Sequence, residues 1–209
     1  MLRLFAVILL CCLLAGSASA DRLILTPTGN TLGTGIKAEY AANTSADSKV
    51  YWAQIGFSKF ELEGVRFQDF GPDNVDAISA EMEVVPETSF TPSVALGVRD
   101  ISNETEGKSA LYDGQSLYLA VSKGIPITHG IPVLFQDMKI HGGLGTGGSL
   151  SGLFFGVSGK LPMGIGLKAE FDTEDFNLAA SYSIIPAIKV QASSIKGDIY
   201  YGALFSSTF

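Results

Sequence analysis

Beyond its first twenty residues the chain alternates. Runs of about eight to eleven residues place apolar side chains at every second position, the period of a β-strand with two unlike faces. In Gly35-Ile36-Lys37-Ala38-Glu39-Tyr40, one face carries Ile36, Ala38 and Tyr40 and the other Lys37 and Glu39. Gly166-Leu167-Lys168-Ala169-Glu170-Phe171 repeats that pattern type for type. Phe60 and Leu62 alternate with Glu61 and Glu63, and Ala80, Met82 and Val84 with Glu81 and Glu83. Val94, Leu96 and Val98 oppose Arg99; Met138 and Ile140 oppose Asp137, Lys139 and His141; Ile188, Val190 and Ala192 oppose Lys189 and Gln191.

Gly, Pro, Asn, Asp and Ser break these runs into about twelve strands. They fall at 35–42, 50–57, 59–68, 75–85, 93–101, 115–122, 133–144, 153–160, 164–172, 176–184, 187–194 and 199–208, with 23–26 as a short extra strand. Residues 42–49 and 102–114 read as longer polar loops, whereas Ser58, Ile185-Pro186 and Gly197-Asp198 read as tight turns. Tight turns on one side and longer loops on the other are the habit of an up-and-down barrel, which leaves no open sheet edge.

Alternation alone does not say which face is inside. A soluble barrel or sandwich turns its apolar face inward; a membrane barrel turns it outward and lines its lumen with charges. Three features favour the membrane form. The runs approach the ~9–11 residues that a tilted membrane strand needs. Tyr40, Tyr51-Trp52, Phe67, Phe70, Phe171, Phe176 and Tyr200-Tyr201 sit at strand ends, where interfacial girdles would lie. The last strand carries Gly202, Phe205 and a terminal Phe209, similar to the signal read by the barrel-assembly machinery. The expected fold is therefore all-β, an antiparallel up-and-down transmembrane barrel of about twelve strands. Its lumen would be lined by Lys37, Glu39, Glu61, Glu63, Glu81, Glu83, Arg99, Lys139, Lys168 and Glu170, with Lys and Glu paired across neighbouring strands. The alternative is a soluble periplasmic barrel or sandwich that binds a small apolar ligand or a partner protein.

The first twenty residues read as a signal peptide. Arg3 supplies its charge, Leu4 to Leu14 its apolar run, and Ala18-Ser19-Ala20 the cleavage site before Asp21. Cys11 and Cys12 lie within the apolar run behind Leu9 and Leu10, which does not match a lipoprotein site. Cleavage there leaves a barrel domain at 21–209 without cysteine, so without disulfides or thiolate metal ligands. The formal charge of −7 argues against nucleic acid as a partner. The expected surroundings are outer-membrane lipid, the assembly machinery, and polysaccharide or envelope export proteins.

Catalytic chemistry finds little support, and the chain reads as a non-enzyme without metal or cofactor. His129 and His141, the two histidines, are not bracketed by further ligands. Ser149 and Ser151 follow His141 but no nucleophile elbow surrounds them. The glycine-rich residues 142–148 lack the Lys-Ser/Thr ending of a phosphate loop and read as a flexible hairpin loop. Glu61/Glu63 and Glu81/Glu83 each share one strand face, which suits a charged lining better than a glycosidase pair.

Two segments carry a resemblance. Leu25-Thr26-Pro27-Thr28-Gly29-Asn30-Thr31-Leu32 followed by Gly35, and Gly166 to Asp172 followed by Asp175-Phe176, resemble the YjbH-like family of outer-membrane barrels associated with exopolysaccharide production. The resemblance implies a structural or transport-accessory role in the cell envelope, linked to exopolysaccharide production or export. Members of that family are often longer, so this chain would correspond to one barrel unit.

Overall fold

The computed structural model describes residues 22–70, 74–109, 111–126 and 135–209. Residues 1–21, where a signal peptide and its cleavage site are expected, and His129 lie outside the described residues. Twelve strands form: β1 (Gly35–Asn43), β2 (Lys49–Phe57), β3 (Phe60–Gln68), β4 (Val75–Val85), β5 (Ser93–Arg99) and β6 (Ser116–Gly124), then β7 (Asp137–Thr146), β8 (Gly152–Lys160), β9 (Ile165–Phe171), β10 (Phe176–Ile185), β11 (Ile188–Ile195) and β12 (Asp198–Thr208). Each pairs antiparallel with its neighbours in sequence, and β1 closes on β12 from Gly35↔Thr208 to Asn43↔Tyr200. The result is a closed antiparallel barrel of twelve strands with the start of β1 and the end of β12 at one end, here the near end.

The pleat sends the apolar face outward. Leu62, Ile78, Leu117, Leu153, Leu178 and Ile184 are all exposed on the outside, while Glu61, Glu81, Ser116 and Glu170 are buried inside. A water-soluble protein rarely shows so large an apolar band, whereas hydrocarbon requires one. The soluble alternative is turned inside out relative to this arrangement. Outward aromatics gather near both rims: Tyr40, Tyr51, Phe155, Phe171, Phe176 and Tyr201 at the far end, Phe57, Phe60 and Tyr182 at the near end. The outward Arg66–Asp76 ion pair, with both hydrogen bonds at 2.7 Å, lies among the far rim residues.

Tight turns close β2 to β3 and β11 to β12. Ser58 takes a left-handed conformation in the first, and Lys196 with Gly197 does so in the second, as hairpins twisted to match their strands require. The turn after Lys196 is short but belongs to the far end, with the long 100–115 loop. The near end carries the longer connections 86–92 and 125–136 as well as tight turns. Loop length therefore does not separate the two ends as the sequence reading expected.

Three further expectations change. Residues 23–26 form no wall strand: Leu23 N–H donates to the Thr26 carbonyl at 2.9 Å in a turn bridged by Arg22 and Pro27, inside the barrel. Gly142 to Thr146 are strand, not hairpin loop. Inward-facing Gly143 and Gly145 make room for the Phe154 ring and for Leu150, so the glycines serve lumen packing. Trp52, Phe67 and Tyr200 face inward and are buried, and Phe70 packs against the same cluster. They fill the far half of the lumen because each is one residue out of step with the outward face.

Candidate functional site, the barrel lumen

Residues 22–34 run inside the barrel and plug it. The chain enters from β1 at the near end, where the Thr34 carbonyl accepts from the Phe209 N–H at 2.9 Å. Leu32 N–H donates to the Glu61 carboxylate at 2.7 Å, and Gly29 N–H to Ser122 Oγ at 2.8 Å. The segment thus crosses the near mouth from β3 to β6, then descends to the turn at 23–26. Gly29 has to be glycine at this crossing: a Cβ would come within 3.0 Å of the Ser122 nitrogen and the Ser93 carbonyl oxygen, both backbone. The wall answers with glycines of its own, Gly56 beneath Leu32 and Gly33, and Gly156 beneath Leu23.

Glu170 of β9 holds the turn. Its carboxylate accepts the N–H groups of Ile24, Leu25 and Thr26 at 2.9, 2.7 and 3.1 Å, the Thr26 hydroxyl at 2.8 Å and Asn177 Nδ2 at 3.1 Å. Successive amides converging on one anion form a backbone nest, and charge-assisted bonds of this kind are about twice as strong as neutral ones. Asn177 is itself tied to Asp172 at 2.9 Å, which fixes the carboxylate from behind.

Arg22 lies across the middle of the lumen. Its guanidinium meets Glu39 at 2.8 Å and Glu63 at 3.0 Å and stacks on Trp52, 4.2 Å from the ring centroid. Gln54 Nε2 adds a bond to Glu63 at 2.8 Å, and the Tyr112 hydroxyl donates to the same carboxylate at 3.1 Å. Arg99 donates to the Leu25 carbonyl, reaches Ser149 Oγ at 3.3 Å and stacks on Tyr112 at 4.2 Å. Tyr112 belongs to the 100–115 loop, which folds inward over the far end with Leu111. Burial, with the Glu63 carboxylate beside it, raises the Tyr112 hydroxyl above its ordinary value, so the group remains a donor. The loop is pinned at its base by Asp100, whose carboxylate accepts Thr105 N–H at 2.8 Å and Thr105 Oγ1 at 2.6 Å.

All ten side chains named for the lumen face the interior, with acids and lysines concentrated on different walls. Glu39, Glu61, Glu63 and Glu81 gather on β1 to β4, and Lys139, Lys160, Lys168 and Lys189 on β7 to β11. Lys37–Glu39 at 4.0 Å is a pair within one strand. Tyr118 donates to Glu81 at 3.0 Å, its ring lying over Gly97. Glu83 is half-buried near the mouth. The plug lies between the two walls: Arg22 turns to the acids, while Lys168 donates to the Leu23 and Arg22 carbonyls and Lys139 to Asn30 Oδ1 at 3.3 Å. Of the terminal-strand trio, Gly202 faces inward, Phe205 outward, and Phe209 is exposed at the near rim.

His141 also faces the lumen. Its two ring nitrogens contact Ser122 Oγ at 2.8 Å and Ser158 Oγ at 2.9 Å. Ser149 and Ser151 are not its partners, and with both nitrogens on hydroxyls no carboxylate orients the ring as a triad would require. The sequence reading missed Arg22, Gln54, Tyr112 and Asn177. The one signal for Arg22 was a lone cation ahead of the short apolar run 23–25 and the polar residues 26–31.

No protein-family model and no curated protein matches the sequence. Among solved structures the barrel is similar to a KdgM porin in complex with disordered oligogalacturonate. The TM-score is 0.50 at 10% identity, over 84% of this chain and 99% of that one. The likeness is one of fold.

Proposed function

We propose that the chain is an outer-membrane barrel with a transport-accessory role in the cell envelope, held closed by its own N-terminal segment. The observation that carries this reading is the polarity of the wall: apolar outside, ionic inside, with Glu39, Glu61, Glu63, Glu170, Arg99 and Lys168 bonded to residues 22–34. In that setting an even number of strands puts the start of β1, the end of β12 and the mouth the plug crosses on the periplasmic side. The link to exopolysaccharide rests on the YjbH-like segments. One of these, residues 25–32, is the plug itself, and the other contains Glu170, which holds it. The saccharide bound by the structurally similar porin is consistent with that link.

Fractionation with a carbonate wash, then gel mobility with and without boiling, tests the membrane assignment. Retention with a heat-dependent shift is the expected result; a soluble monomer without the shift would overturn it. Conductance tests the plug. The full mature chain in planar bilayers is expected to be nearly silent, and deletion of residues 22–33 to produce larger, more frequent openings. Equal conductance from the two would remove the occluding role.

A further inference from the structure

One side of the lumen is not filled by the plug. At the near end β7 to β12 and β1 enclose a cavity of about 170 Å3, room by this measure for several waters or one small polar group. Its lining includes Lys37, Lys139, Lys160, Lys168 and Lys189, against one carboxylate, Asp137. Four serines complete it, among them Ser158 on His141 and the buried Ser206, whose hydroxyl has no hydrogen-bond partner among the described residues. Acids stand behind or beside some of the lysines: Glu39 at 4.0 Å from Lys37, Glu87 at 3.2 Å from Lys139, Asp137 at 3.6 Å from Lys160. The lysines still outnumber them, in a chain whose net charge is −7. Ammonium groups and hydroxyl donors converging on one space are the donor set for a carboxylate.

Two of these lysines also hold the plug. Lys168 donates to the Leu23 and Arg22 carbonyls, and Lys139 to the Asn30 side-chain oxygen. Those plug acceptors are neutral, and Lys139 already leans on the Glu87 carboxylate, so an anion in the cavity offers a charge-assisted bond stronger than the ones these lysines make to the plug. We propose that this cavity binds the carboxylate of an acidic sugar and that its occupation draws Lys139 and Lys168 off the plug. The inference rests on the envelope-barrel reading above and assigns its ligand class and its trigger.

Trp52, the single tryptophan, lies under Arg22 of the plug and reports on its position. The mature chain, folded in detergent without lipid, is titrated with alginate oligosaccharides, with uncharged malto-oligosaccharides of the same length, and with inorganic phosphate. Binding is measured in parallel by equilibrium dialysis, so that a variant with a loosened plug still reports on the cavity. Alginate is expected to bind saturably and to shift Trp52 emission, with affinity falling as salt rises. The Lys139→Gln/Lys168→Gln variant is expected to bind about tenfold more weakly or worse, while keeping its heat-dependent gel shift. Equal binding of malto-oligosaccharides, or unchanged affinity in the variant, would overturn the site. Phosphate binding as tightly as alginate would overturn the acidic-sugar assignment, and full alginate binding with no change at Trp52 would overturn the unlatching. A preparation that keeps its gel shift but binds no alginate defeats this proposal alone; loss of the gel shift in the unaltered chain defeats the barrel reading beneath it.

Discussion

The acidic wall, β1 to β4, and the basic wall, β7 to β11, face each other across one lumen, yet they are used differently. On the acidic wall Glu39 and Glu63 are sealed under Arg22, and Glu61 under Leu32. On the basic wall Lys139, Lys160, Lys168 and Lys189 line open space, and two of them touch the plug through neutral oxygens. A buried carboxylate without a counter-charge is costly, so the acidic wall depends on the plug for its stability. Ammonium groups beside an open cavity keep room for hydration, so the basic wall needs the plug far less. The contrast explains how one segment can be firmly specified on one side and releasable on the other.

The strongest way to break this comparison is to remove the cation between the acids. Arg22→Ala is expected to destabilise the barrel by about 3–5 kcal/mol, read as the shift in denaturant midpoint in lipid vesicles. Lys160→Gln on the other wall should cost no more than about 1 kcal/mol, since its pair with Asp137 is half exposed. Equal losses at the two positions would erase the distinction between the walls.

A smaller effect is expected at Glu170, a fully buried acid that stands on the basic side. Glu170→Gln keeps the shape but gives up the charge that three plug amides share, at an expected cost of about 2 kcal/mol. The loss should fall on the plug and not on the strands. Hydrogen exchange at Ile24, Leu25 and Thr26 should speed up while the wall amides keep their protection; uniform acceleration would show that the nest supports the whole barrel.

The smallest effect concerns Glu87, on the β4–β5 loop, which reaches across the near mouth to Lys139, Lys123 and the Gly124 N–H. Burial pushes its carboxyl up, but the Gly124 N–H and the two lysines outweigh that and leave it below its ordinary value. A folded-state value below the unfolded one means that the contact stabilises above the ordinary carboxylate range and is lost as pH falls through the lowered value. Loop 86–92 should therefore loosen only in acid, below about pH 4, as followed by exchange at Gly124. Loosening that begins near neutrality would point to a different group.

The fold was legible in the sequence because each link in it is local. A strand alternates whatever lies beyond it, and a turn residue marks a break whatever follows. The twelve runs accordingly lie within a few residues of the twelve strands; at β7 the described residues 135–136 stand outside the strand, which starts at Asp137. The inward girdle candidates were misread for the same local reason. Val50-Tyr51-Trp52 and Tyr200-Tyr201 are apolar on both faces, and nothing within such a run says that the lumen beyond it is also apolar.

The matched pair β1 and β9 separates what the sequence determined from what only the tertiary structure decided. Both read Gly-x-Lys-Ala-Glu-aromatic, and in both the Lys and Glu point inward, as the period of two dictates. Their tasks diverge. Glu39 meets the guanidinium of Arg22, seventeen residues away in the chain, whereas Glu170 gathers the amides of a turn about 145 residues away. Alternation fixes the face on which a side chain stands, because that is set by its own backbone. What stands opposite depends on closing the barrel and on threading residues 22–34 through it, and no pattern within either strand encodes that partner.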